Sequence, residues 1–359
     1  MPRRLGAALR LSAAALTLSA AALTPSAAAL GLAGCGLSFH QGPLPGAPKS
    51  ARFAEVAGAR VHYVDEGSGP PVVLIHGFAS SMHTWRGVRQ ALKPSHRVIA
   101  LDLKGFGYTD RPEGDYSPRA QAELVLALLD ARGVDEPVAL VAHSWGSSVA
   151  LELALLAPER VSRIALYDAW VYEEQLPTTF HVAKLGGVGE AIIGGFYDQR
   201  SDDKMGLAFY DRNYVTEEMI EGVERDLERP GTKAAALAAI RGQRYAEVQK
   251  RYPKITQPTL LLWGREDRIT RLEYGERLAK ELPNARLVVY PQCGHFPMYE
   301  AKGSSTNELR AFLAEATPPK RALEPAPANT PEPTGAPEAA PAPEPASEPE
   351  QSDDPRSRR

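Results

Sequence analysis

The sequence predicts an α/β domain built on a mostly parallel sheet, and three observations carry that prediction. Short unbroken apolar runs recur between Val72 and Val289, the pattern of strands buried on both faces. Stretches of helical period separate them, and strand alternating with helix gives a parallel sheet covered by helices. The 359-residue chain is 43 % hydrophobic and 24 % charged, a globular balance that excludes a fully disordered, collagenous or polytopic membrane protein.

The elements follow in order. Residues Arg60 to Asp65 alternate apolar and polar and end at Gly67-Ser68-Gly69-Pro70, which reads as an antiparallel-type strand. The buried runs are Val72–Ile75, Val98–Leu101, Val138–Val141, Ile164–Leu166, Leu260–Leu262 and Leu287–Val289. Helical periods occupy Arg119–Arg132, Ser147–Ala157, Leu272–Leu282 and Glu308–Glu315. Residues 170–254 interrupt the alternation with aromatic residues and two further helical stretches, Glu217–Leu227 and Lys233–Arg244. This insertion reads as a cap over a site at the carboxyl ends of the strands, where ligands bind in such sheets; a second small domain away from the chemistry is the alternative. Gly186, Gly187 and Gly189 read as flexible turns within it.

Both ends lie outside the predicted domain, 52–316. Arg3, Arg4 and Arg10 precede an uncharged stretch, Leu11 to Gly34, the order of an export signal. A membrane-spanning anchor is the alternative, because the run exceeds about 20 residues, although Pro25 interrupts it. Leu32-Ala33-Gly34-Cys35 resembles the lipobox of bacterial lipoproteins, which implies lipidation of Cys35 and a place in the bacterial cell envelope. Ordinary cleavage would instead release a soluble periplasmic or secreted protein. Residues 35–51 are rich in Gly and Pro and read as a tether. Twelve of the 31 prolines fall in residues 317–359, a tail with too little apolar surface to offset its ordering entropy.

Composition narrows the function. A formal charge of −3 gives no reason to expect nucleic acid as a partner. Two cysteines exclude a disulfide scaffold and a four-cysteine zinc site. No ligand cluster or phosphate loop suggests a metal or cofactor.

The chemistry converges on Ser144. Strand Val138–Val141 runs into Ala142-His143-Ser144-Trp145-Gly146 before a helix. A nucleophile at such a sharp strand–turn–helix elbow needs small residues two before and two after it, and Ala142 and Gly146 supply them. An ordinary helix N-cap serine is the bland alternative. A general base and an orienting acid should follow. His295, in Cys293-Gly294-His295-Phe296-Pro297, sits on a loop after a late strand, and Asp267 follows strand Thr259–Trp263. Asp168 is a rival acid, and Glu266 a weaker neighbour. His76-Gly77-Phe78 ends an earlier strand; the Phe78 and Trp145 backbone N–H groups are the expected oxyanion-hole donors. His76 braces that loop, His143 points into the fold, Asp102 is structural, and Cys293 is a packing residue.

These landmarks, with Asp102-Leu103-Lys104-Gly105-Phe106-Gly107-Tyr108 and Trp263-Gly264, resemble the α/β-hydrolase superfamily from about Phe53 to Leu313. The branch is the capped one of haloalkane dehalogenases, epoxide hydrolases, C–C bond hydrolases and esterases. The resemblance implies an eight-stranded, mostly parallel sheet, an inserted helical cap, and a Ser144–Asp267–His295 set in family order. Ala142 departs from the commoner glycine. Dehalogenases and epoxide hydrolases of this family carry aspartate at the elbow, and Ser144 disfavours halide and epoxide displacement. The expected reaction is hydrolysis of an ester-type carbonyl substrate through an acyl-enzyme, with a small-molecule acyl substrate and no cofactor. A C–C hydrolase or an acyltransferase on the same residues, and a non-catalytic hydrolase-like binding protein, are the alternatives.

Overall fold

The computed structural model describes residues 37–196 and 201–316. The predicted signal, the lipidation candidate Cys35 and the tail 317–359 fall outside the described residues. Among those residues no helix is long and apolar enough to cross a membrane.

Eight strands form one sheet. They are β1 Arg52–Val56, β2 Ala59–Glu66, β3 Pro71–Ile75, β4 Arg97–Leu101, β5 Val138–His143, β6 Val161–Tyr167, β7 Thr259–Gly264 and β8 Ala285–Tyr290. Their order is β1-β2-β4-β3-β5-β6-β7-β8. β1–β2 and β2–β4 pair antiparallel, and every other pair is parallel. Strands β3, β5 and β7 are buried along their whole length, as their unbroken apolar runs require. Successive side chains go to opposite faces: Val73 and Ile75 join the core on one side, Val72 and Leu74 the core on the other.

Eleven α-helices are described. Outside the insertion these are α1 Arg86–Leu92, α2 Pro118–Ala131 and α3 Gly146–Leu156. Within it come α4 Thr178–Ala183, α5 Val188–Phe196, α6 Ser201–Ala208, α7 Glu217–Glu228 and α8 Thr232–Gly242. After it follow α9 Leu272–Glu281, α10 Pro297–Glu300 and α11 Lys302–Ala314. Helix α2 starts where Ser117 caps it by accepting the Ala120 N–H at 3.2 Å, with Pro118 in its first turn, where the missing proline N–H costs nothing.

The structure departs from the sequence reading in four places. Strand β1 (Arg-Phe-Ala-Glu-Val) has no apolar run, because an edge strand pairs through one neighbour and keeps a wet face; its register, Arg52 to Tyr63 through Val56 to Ala59, is closed by the two-residue turn Ala57-Gly58. Helix α11 begins six residues before the predicted Glu308, where a Gly-Ser-Ser-Thr stretch masks the period. Gly189 is helical, not a turn. A Cβ there would meet the Ala183 carbonyl oxygen and lie 2.8 Å from Leu237 Cδ1, so its role is close packing of α5. Finally, residues 37–51 are docked on the domain. His40 and Arg111 exchange backbone hydrogen bonds at 2.9 and 2.8 Å, the Gly42 N–H donates to Asp110 at 3.2 Å, and the Tyr108 hydroxyl donates to the Gly46 carbonyl at 2.7 Å. Leu44 is buried in this strap.

Candidate active site

The site begins at the two-residue turn between β5 and α3. Ser144 holds φ = +51°, a left-handed conformation that non-glycine residues adopt only under constraint. Three backbone bonds supply the constraint. The Ser144 N–H donates to the Tyr167 carbonyl at 2.9 Å, and its own carbonyl accepts the Ser147 N–H at 2.9 Å and the Trp170 N–H at 3.1 Å. Gly146 is required because a Cβ there would collide with the His76 carbonyl oxygen and sit 2.7 Å from that of Ile75. A Cβ on Gly77 would lie 3.1 Å from Ser144 Cβ, so the β3 loop passes directly against the serine. Ala142 is fully buried, which explains why this position stays small.

His295 and Asp267 meet as expected. Nδ1 of His295 donates to Asp267 Oδ2 at 2.7 Å, and both side chains are buried. Asp267 also accepts the Ile269 and Thr270 N–H groups at 2.7 and 3.1 Å and the Thr270 hydroxyl at 2.6 Å. Burial pushes its pKa up, but the His295 ring and these donors outweigh burial and hold it at about 2. The carboxylate is therefore charged at any working pH, and with Nδ1 holding its proton against Asp267 the histidine's Nε2 is left as the acceptor.

The flanking histidines are committed elsewhere. His76 donates from Nδ1 to the Gly77 carbonyl at 2.7 Å and accepts the Leu103 N–H at Nε2 at 2.9 Å; with both nitrogens used it is a brace. His143 is buried but does not simply point away. Its Nε2 donates to the His295 carbonyl at 2.8 Å and its ring lies 4.7 Å from the His295 ring. Burial drives its pKa well below the usual histidine value, so it is neutral. It links the Ser144 turn to the His295 loop. Asp102 accepts His62 Nδ1–H at 2.7 Å and the Met82 and Tyr108 N–H groups at 2.8 and 2.9 Å, which organises its loop.

Phe78 and Trp145 face each other edge-on with ring centroids 6.0 Å apart, and Phe106 and Phe180 lie 5.6 Å from the Phe78 ring. No acceptor among the described residues takes the Phe78 or Trp145 backbone N–H. Two unused donors flanked by aromatic rings beside a serine hydroxyl can receive an oxyanion.

Four positions escaped the sequence reading. Thr270 donates to Asp267 and lies 3.3 Å from His295 Nδ1; an Asp followed three residues on by Thr was the available signal. Glu300 accepts the Gly294 N–H at 2.8 Å with one oxygen and the Tyr210 and Asp211 N–H groups at 2.8 and 3.0 Å with the other. The Ala208 carbonyl accepts the His295 N–H at 2.7 Å, and Phe209 stacks on Phe296 at 4.8 Å. The insertion thus grips the His295 loop, a long-range contact that leaves no local signal. Asp168, the rival acid, is fully buried beside Asp267 and does not hydrogen bond His295. Cys293 is buried and burial raises its thiol pKa, which makes it a poor nucleophile.

The family model described as alpha/beta hydrolase fold matches residues 70–302. A 2-hydroxymuconate semialdehyde hydrolase from Pseudomonas sp. (strain CF600) is 31 % identical over 282 residues, covering 75 % of this chain and 96 % of its own. Among solved structures, a thermophilic esterase from Thermogutta terrifontis superposes with a TM-score of 0.63 at 25 % identity, over 73 % of this chain and 97 % of its own. A meta-cleavage product hydrolase from Pseudomonas fluorescens IP01 gives a TM-score of 0.63 at 27 % identity, over the same 73 % and 97 %. With a family model spanning residues 70–302 and a relative 31 % identical over 75 % of its length, this chain is an enzyme of the α/β-hydrolase family.

Proposed function

We propose that this enzyme is a serine hydrolase that cleaves a small acyl ester through a covalent acyl-enzyme. The observation that carries the reading is the strained Ser144 at its turn together with a His295 whose Nδ1–H is fixed on a charged Asp267, the two segments joined by the His143 bond to the His295 carbonyl. In this reading His295 Nε2 takes the hydroxyl proton as Ser144 Oγ attacks the carbonyl carbon. The Phe78 and Trp145 N–H groups receive the developing oxyanion, each worth about 3–4 kcal/mol in comparable sites. His295 then passes its proton to the leaving alkoxide, and the C–O bond breaks. Water repeats the cycle and releases the acid and Ser144. Asp267 keeps the ring oriented and stabilises the imidazolium. Serine rather than aspartate at the elbow favours acyl over alkyl transfer, since attack on a carbonyl yields an ester that water can cleave at its acyl carbon. The aromatic rings of Phe78, Phe106 and Phe180 favour an apolar acyl group.

A C–C bond hydrolase is the second reading. It is favoured by the 31 % identical 2-hydroxymuconate semialdehyde hydrolase, and the same residues would serve it. We further propose attachment to the bacterial envelope through acyl groups on Cys35, on the strength of Leu32-Ala33-Gly34-Cys35 following an uncharged run. A mass spectrum of Cys35 from native membranes tests that; an unmodified cysteine refutes it.

The test of the reaction is intact-mass labelling with a fluorophosphonate. One adduct on the wild-type chain and none on Ser144→Ala is the expected result. Folded wild type that takes no adduct would overturn the assignment. A panel of simple esters beside a vinylogous diketone then separates ester from C–C cleavage.

A further inference from the structure

Every exposed large apolar side chain among the described residues lies in the insertion: Val182, Leu185, Val188, Leu207, Tyr210 and Tyr214, with Leu185 the most open at 58 %. The first three stand on α4, at the start of α5, and on the turn between them. Val182, Leu185 and Val188 fall within seven residues of the chain, and exposed apolar side chains grouped in this way mark a contact surface.

The amino-terminal chain reaches the fold at the same place. Leu37 packs with Phe180 and Ile192 against the cluster of Ala183, Ile193, Leu237 and Ile240, on α4, α5 and α8. From His40 to Gly46 the strap is then bonded to the domain. A free tether of residues 36–51 would place an anchor roughly 22 Å away on average and let the enzyme tumble. The docked strap removes that freedom. Cys35 is two residues before Leu37, and an extended chain advances about 3.5 Å per residue. Whatever holds Cys35 is thus within about 10 Å of Leu37.

We propose that the apolar face around Leu185 seats on the surface of a lipid bilayer, so that the site opens toward the membrane–water interface and draws lipid-soluble acyl substrates. The face stands on its own exposure. Its delivery to the membrane, and the substrate consequence, rest on the envelope and esterase readings above.

The test uses the full chain carrying Cys35→Ser, so that its remaining native thiol, Cys293, is buried. Leu185→Cys is labelled with an environment-sensitive fluorophore. Asp130→Cys, at the far end of α2 with an open side chain, serves as control. Vesicles of phosphatidylcholine with a minority of phosphatidylglycerol are added, with and without doxyl-labelled lipid. The expected result is a blue shift and several-fold stronger quenching at position 185 than at 130. Delivery is supplied by an amino-terminal His tag on vesicles that also carry a nickel-chelating lipid, and equal signals at both positions on those vesicles overturn the proposal. So does a shift at 185 that follows protein concentration without vesicles, which identifies a second copy as the occupant. Leu185→Glu with Val188→Glu should cut turnover of vesicle-borne esters several-fold while sparing a water-soluble ester; equal loss on both also overturns it. The Cys35 mass measurement reads the anchor separately, and the fluorophosphonate adduct reads the esterase.

Discussion

Asp168 and Asp267 stand side by side beneath His295, with one carboxylate oxygen of each and a ring nitrogen of His295 all within 4.8 Å of one another. Two buried carboxyls so close cannot both ionise. Asp267 takes the charge because four donors converge on it. Asp168 receives the Gly264 N–H at 2.9 Å on Oδ1 and nothing on Oδ2. Burial first, and then the Asp267 charge, drive its pKa well above the usual carboxylate value. Between the unfolded and the folded pKa the folded state binds the extra proton, so stability falls as pH rises through that window. Asp168→Asn stays neutral at every pH and keeps the oxygen for Gly264. It should flatten this slope and raise the melting temperature at pH 8 while leaving turnover nearly intact. Asp267→Asn should lower turnover about 10²–10⁴-fold. Melting curves across pH and steady-state kinetics check both. A larger kinetic loss in Asp168→Asn would reverse the assignment of the acid.

A second prediction concerns strain. A non-glycine residue at φ = +51° costs about 1–3 kcal/mol. Ser144→Gly relieves that strain, against about 0.5–1 kcal/mol of added unfolded-state entropy. The variant should melt above both wild type and Ser144→Ala, and both variants should be inactive. Gly146→Ala should do the opposite, losing several kcal/mol as its Cβ meets the Ile75 and His76 carbonyls. Equal melting temperatures for Ser144→Gly and Ser144→Ala would show that the turn stores no strain.

The distribution of what could be read from sequence follows from locality. The elbow is legible because its constraint falls on residues adjacent in the chain: a buried strand, a serine and a glycine two positions later. Strands β3, β5 and β7 are legible because burial on both faces demands unbroken apolar runs. Edge strand β1 obeys no such demand. Glu300 was hidden because its partners, Tyr210 and Asp211, are some ninety residues away. The docking of residues 37–51 was hidden for the same reason. Their glycines and prolines look like a linker, yet they are fixed by backbone bonds to Arg111 and Asp110 that no composition reveals.

His143 offers a third prediction. Its neutral ring, one residue before Ser144, donates to the His295 carbonyl at 2.8 Å and so holds the loop that carries the proposed base. His143→Ala leaves that carbonyl without its donor and opens space beside His295. Misplacement of a reacting group by about 1 Å costs on the order of 10²-fold in rate, so kcat should fall by about 10–100-fold. His143→Gln, whose amide can donate, should recover part of the loss. Stopped-flow measurement of acylation reads the effect at the step concerned; unchanged acylation in His143→Ala would assign the residue to packing alone.

The fourth prediction follows from Glu300, which ties the insertion to the His295 loop. One oxygen accepts the Tyr210 and Asp211 N–H groups and the other accepts that of Gly294. Burial raises its pKa, against the pull of those three donors. Glutamine has one acceptor oxygen, so Glu300→Gln can keep one side of the bridge and must turn an amide N–H toward donors on the other. The insertion and the loop should then move apart without global unfolding. Amide exchange should quicken at Tyr210 and Asp211 or at Gly294, and kcat should fall about tenfold, the cost of a fraction of an ångström in the position of His295. Glu300→Ala removes both sides. Bonds to a charged acceptor contribute about 1.5–3 kcal/mol each when buried; with three of them lost at the low end of that range in this partly buried site, a loss of about 4–5 kcal/mol is expected on thermal unfolding. If Glu300→Gln exchanges and turns over as wild type does, the insertion is held by the Phe209–Phe296 stack and the His295–Ala208 bond alone.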